Sequence, residues 1–110
     1  MKELTPEQIQ HNWSNLRQII DVNFSGERLE RLNEMYDYFE ERMVLAPASG
    51  KEHFHNCHVG GYVEHVLHIT HLTLQIKELW EKNDATIDFT EEELVFAALH
   101  HDLGKVGDLA

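Results

Sequence analysis

Residues 62–82 read YVEHVLHITHLTLQIKELWEK, and the spacing of their apolar side chains decides the fold class. Take ~100° per residue and set His65 at zero. Ile69, Leu72 and Ile76 then fall within about 40° of it, and Tyr62 and Trp80 near about 60°. The stretch is therefore predicted to be one helix, with His65 in the middle of an apolar stripe. Val63, Leu67 and Leu74 form a second apolar line, so the helix is expected to be central and packed on two sides. His68 falls at the edge of the stripe and His71 outside it, and both are expected to be partly exposed. An imidazole in such a stripe needs partners for its ring nitrogens.

Working upstream, Gly60-Gly61 opens this helix, and residues 45–60 read as a loop holding His53, His55, Cys57 and His58. Before the loop, Leu29, Leu32, Tyr36, Phe39 and Met43 share one stripe, which predicts a helix over 27–44. It stops before Ala46-Pro47, because the backbone ahead of proline disfavours the helical region. Ser25-Gly26 separates it from a first helix over 6–21, marked by Ile9, Trp13, Leu16 and Ile20. Thr5-Pro6-Glu7-Gln8 supplies a capping residue, a proline at the first helical position and a capping box. Downstream, Asn83-Asp84 breaks the long helix. Thr90 and Glu93 form another capping box, opening a helix over 91–101, and Glu91–Glu93 complement its dipole. Nothing alternates with period two. The chain reads as all-α, one domain over 1–110, with an N-terminal helical pair in 1–44 and a His-rich part in 45–110. Trp13, Tyr36, Phe39 and Trp80 are expected as core anchors.

The composition narrows the function. With 110 residues the chain matches one domain, since domains run to about 100–150 residues. Its formal charge of −11 argues against non-specific nucleic-acid binding, which relies on a basic surface, though not against a nucleotide held around a metal. No apolar run approaches the ~20 residues of a membrane span, the N-terminus is not a signal peptide, and the single Cys57 fits a reducing cytoplasm. Nine histidines are an excess, and all but His11 lie within 53–101.

On the last helix, His101 shares a face with Leu94, Ala97 and Ala98, where the alanines permit close approach of another helix. Asp102 follows directly. Two neutral imidazoles, His65 and His101, with the Asp102 carboxylate suit a divalent cation: Mn, Fe, Mg, Ni, Co or Zn. Three protein ligands leave coordination positions for water and a phosphate oxygen, and such an ion acidifies water and neutralises phosphate charge. Gly104 turns the chain off the helix end, and Lys105 places a mobile cation where a phosphate would bind. His53, His55, Cys57 and His58 read as a polar loop beside the site rather than a second centre, since no second Cys supports structural zinc.

His101-Asp102-Leu103-Gly104-Lys105 resembles the HD-x-G-K signature of the HD-domain superfamily of metal-dependent phosphohydrolases. His55 through His65, with its H-x4-GG-x3-H pattern, resembles a branch that includes HD-type 3′–5′ exoribonucleases. With Leu4–Trp13 and Phe89–Leu99, the chain is still more similar to HD proteins encoded by tailed phages. The resemblance implies an HD-like helical bundle with His65, His101 and Asp102 as metal ligands. It implies Asp102 and Lys105 in catalysis, and His55 and Lys105 against the substrate. His58 and Val59 stand where that pattern has an aromatic residue and a proline. It also implies a further Asp on a later helix, for which Asp108 is too near. The 110 residues are accordingly expected to be the front of a larger domain, whose uncovered apolar faces would favour homo-oligomers. The expected activity is hydrolysis of a phosphate ester, in a nucleotide or short oligonucleotide, in the cytoplasm (a host's, if phage-encoded). The alternative is a catalytically incomplete HD protein acting as a metal-binding or interaction module.

Overall fold

A computed structural model describes residues 3–47, 58–83 and 90–103. Among the described residues five helices follow in order: α1 Pro6–Asn23, α2 Gly26–Tyr38, α3 Glu40–Leu45, α4 Gly61–Lys82 and α5 Glu91–His100. No strand occurs among the described residues, so the all-α bundle read from the sequence is what the chain forms. No described helix is long and apolar enough to cross a membrane.

Both predicted capping boxes are made. The Gln8 backbone N–H donates to Thr5 Oγ1 (3.1 Å), and the Thr5 N–H donates to Gln8 Oε1 (2.8 Å). Thr90 and Glu93 repeat the pattern at the start of α5. Each box satisfies two amide donors that a helix start otherwise leaves open.

The helix expected over 27–44 is divided at Phe39, whose ψ of 10° departs from helical geometry. The residue at the division keeps both of its own backbone bonds. The Phe39 amide still donates to the Met35 carbonyl, and the Phe39 carbonyl still accepts from the Met43 amide. An apolar stripe records which side chains face inward, and a one-residue bend that keeps both hydrogen bonds leaves that stripe intact. Beyond the bend, α3 brings Ala46 against the start of α4, where its carbonyl accepts the Tyr62 amide at 2.9 Å.

Gly60 decides how α4 enters the bundle. Its φ of 81° lies in the left-handed region, which costs an L side chain energy. A Cβ there would also lie 2.9 Å from Ile9 Cγ1, so α1 closes directly over the turn. Glycine is required twice over, by backbone conformation and by space.

The core joins Trp13, Leu16 and Ile20 of α1, Leu32 and Tyr36 of α2, Met43 of α3, Tyr62, Val63, Val66 and Leu67 of α4, and Val95 and Leu99 of α5. α4 packs against α1, α3 and, most extensively, α5. Here one expectation is corrected. The buried residues of α4 end at Thr70, and the outer part of the His65 stripe lies open, with Leu72, Ile76, Leu79 and Trp80 all exposed. Trp80 is no core anchor, at 55% exposure. Periodicity marks a face of a helix without marking how far its neighbours run along it. α4 is longer than the partners packed against it.

Candidate metal centre

The α4–α5 contact places His65 opposite the end of α5. His65 lies in the second turn of α4, and His101 and Asp102 occupy the turn that closes α5. The two imidazoles meet with ring centroids 5.6 Å apart and planes inclined by 53°. Asp102 Oδ2 lies 3.1 Å from His101 Nε2 and 3.5 Å from His65 Nε2. One ligand atom from each residue lies within 4.8 Å of the other two. His65 and Asp102 are half-buried, while His101 is exposed. It is less enclosed than an inward-facing residue, because Ala97 on the same face is exposed and the close approach to α4 rests on Ala98.

The tautomer of His101 follows from its surroundings. His101 Nδ1 lies 2.8 Å from the Ala98 carbonyl oxygen. A carbonyl only accepts, so Nδ1 carries the hydrogen and, in the neutral ring, Nε2 presents a lone pair. That lone pair faces a carboxylate oxygen at 3.1 Å. Two acceptors at this distance repel unless a proton or a cation lies between them. Donors about 2.1 Å from a divalent ion stand about 3–3.5 Å apart from one another, and the separations of 3.1 and 3.5 Å fall in that range. A backbone carbonyl fixing the tautomer of a histidine is also a usual accompaniment of metal ligation. The donor chemistry therefore suits a divalent cation on His65, His101 and Asp102, and the two separations from Asp102 match one, with the three donor atoms together bounded at 4.8 Å.

Around these three, Tyr62 is buried one turn before His65. Burial pushes its phenol up to about 12, and the Asp102 carboxylate adds to the shift. His58 Nε2 and Glu64 Oε1 pair at 2.7 Å across the turn that opens α4. This engages His58 as part of a polar turn and sets a carboxylate in the first turn of α4, where the dipole favours it. His68 and His71 are exposed. His53, His55, Cys57, Gly104, Lys105 and Asp108 lie outside the described residues, so the substrate-side assignments to His55 and Lys105 rest on the sequence.

One participant escaped the sequence reading. His100 is largely buried, and burial lowers its pKa, with its bond to Phe96 acting in the opposite direction. Its Nδ1 lies 2.7 Å from the Phe96 carbonyl oxygen, and its Nε2 lies 2.9 Å from the Tyr36 hydroxyl. Tyr36, read only as a core anchor, is the deeper member of the pair, and burial raises its pKa strongly, with Tyr62 adding and Arg17 opposing. A usable signal was present. A buried tyrosine hydroxyl needs a hydrogen-bond partner, and a second histidine on a different face of α5 is one.

Comparison with protein-family models, with curated proteins and with solved structures finds no match to this chain.

Proposed function

We propose that the chain is a metal-dependent phosphohydrolase of the HD type, acting on a phosphate ester of a nucleotide or short oligonucleotide. The observation that carries the reading is the convergence, within 4.8 Å, of His65 from α4 with His101 and Asp102 from the end of α5, the next helix in the chain. The signature resemblance supports it independently, since it picks out the same three residues. When bound, a divalent ion supplies Lewis acidity toward the phosphate and activates water for attack on phosphorus.

The chain's own groups then have distinct tasks. His65 and His101 offer neutral nitrogen donors, and the Ala98 carbonyl keeps the His101 lone pair turned toward the centre. Asp102 offers the one carboxylate of the cluster and offsets part of the positive charge. Three protein donors leave the other coordination positions open, the arrangement of catalytic rather than closed structural sites. Lys105, a few residues beyond Asp102, is assigned to the phosphate on sequence grounds, as is His55.

The test is release of product from a generic phosphodiester, bis(p-nitrophenyl) phosphate, and from a set of nucleotides in Mn²⁺, with wild type and Asp102→Ala side by side. Activity lost in Asp102→Ala is the expected result. Equal rates in the two proteins would sink the reading. Stoichiometric metal without turnover on any phosphate ester would favour the metal-binding or interaction module instead.

A further inference from the structure

Adjacent histidines at the end of α5 present a choice of ligand, and their hydrogen bonds resolve it. Both nitrogens of His100 are engaged within the protein. Nδ1–H donates to the Phe96 carbonyl, which leaves Nε2 as the acceptor of the Tyr36 O–H. His101 spends only Nδ1 on the backbone. Of the doublet, His101 has a nitrogen to give and His100 has none.

The surroundings of His100 give it a different task. Tyr36 belongs to α2 and is 2% exposed, its ring packed on Trp13 with centroids 6.0 Å apart. It meets the His100 ring at 5.9 Å, and Phe96 meets the same ring from α5 at 4.4 Å. His100 is the last residue of α5, directly before the two ligands contributed by that end. A helix end otherwise frays, because its last carbonyls lack intrahelical partners. Here the two imidazoles bind back onto α5 carbonyls, and one of them is also anchored in the core through another helix.

We infer that Tyr36 and His100 are positioning residues for the metal centre, with the Tyr36 hydroxyl holding the end of α5 so that His101 and Asp102 face His65. The inference rests on the metal reading above and extends it to two residues that touch no ligand.

The experiment is titration of the chelator-free full chain with Co²⁺ alone, following the visible d–d absorption. Wild type takes up about one ion. Tyr36→Phe keeps that stoichiometry with a Kd weakened about tenfold, the low end for loss of a supporting hydrogen bond, and with a shifted visible band. His100→Ala weakens binding at least as much. His100→Gln recovers a large part, because its amide offers both a donor and an acceptor. Thr90→Ala loosens the opposite end of the same helix and keeps the wild-type Kd, which separates positioning from a general loss of stability.

An unchanged Kd and spectrum in Tyr36→Phe would overturn the positioning role while the metal centre stands. Absence of Co²⁺ from wild type would overturn both. Binding retained in His101→Ala and abolished in His100→Ala would overturn the assignment within the doublet. If circular dichroism shows Tyr36→Phe unfolded, the His100→Ala and His100→Gln pair decides, and equal Kd values in those two would overturn the inference.

Discussion

Replacing Gly60 by alanine separates two physical costs that the structure places at one residue. The first is conformational: at φ 81° an L side chain costs about 1–2 kcal/mol. The second is steric. The new Cβ would lie 2.9 Å from Ile9 Cγ1 and 3.3 Å from both Ile9 Cδ1 and Leu4 Cδ1. Pushing these side chains away is the cost of overpacking, about 1–3 kcal/mol. Gly60→Ala is therefore expected to lower unfolding stability by about 2–5 kcal/mol. The double mutant with Ile9→Ala distinguishes the parts, since it removes both Ile9 atoms that the Cβ would meet. In an Ile9→Ala background, Gly60→Ala should cost less, approaching the conformational part of about 1–2 kcal/mol because only the 3.3 Å approach to Leu4 Cδ1 remains. The assay is urea unfolding followed by circular dichroism at 222 nm, with all four proteins at equal m-value. A Gly60→Ala cost below about 0.5 kcal/mol, the scale of an ordinary surface change, would refute the left-handed, closely covered turn. An identical cost in both backgrounds would refute the contact with α1.

The open outer part of α4 predicts a contrast with the core. Leu99→Ala, at a site with 0% exposure, should cost about 2–5 kcal/mol, whereas Leu79→Ala, at 58% exposure, should stay within about 0.5 kcal/mol in the same urea assay. The capping box of α5 predicts a pH effect. Backbone and side-chain bonds from Thr90 hold the Glu93 carboxyl below its ordinary value of 4.5. A depressed folded-state pKa contributes stability that is present above the unfolded value and is lost as pH falls through the folded one. Carbonyl NMR should therefore show Glu93 titrating below 4.5 in wild type and returning toward it in Thr90→Ala, which should also lose about 1 kcal/mol of stability at neutral pH.

What was legible in the sequence depended on the range of the interaction concerned. The helix starts at Pro6 and Glu91 were readable because a capping box is settled within four residues, and both boxes form as expected. The bend at Phe39 was not, since it alters the backbone of one residue and spares the stripe on either side. The His65 stripe was placed on the correct helix, yet Leu72 to Trp80 carry the same pattern as buried residues and are exposed. Their environment is set by the lengths of α1 and α5, which local periodicity does not encode. At the candidate site, His65, His101 and Asp102 were singled out by residue type and resemblance, and the fold brings the three together, with His101 more exposed than its helix face suggests. The Ala98 carbonyl that turns His101 and the Tyr36 hydroxyl that occupies His100 were not, because each depends on where a helix end settles against the core.

On the proposed function, His65, His101 and Asp102 together hold a divalent ion. Elemental analysis of the chelator-free chain, reloaded with Mn²⁺ or Zn²⁺ and freed of excess metal, tests it most directly. About one ion per chain in wild type, and none in His65→Ala or His101→Ala of unchanged helical content, is the expected result. An ion retained in both variants, or no ion in wild type, would contradict it.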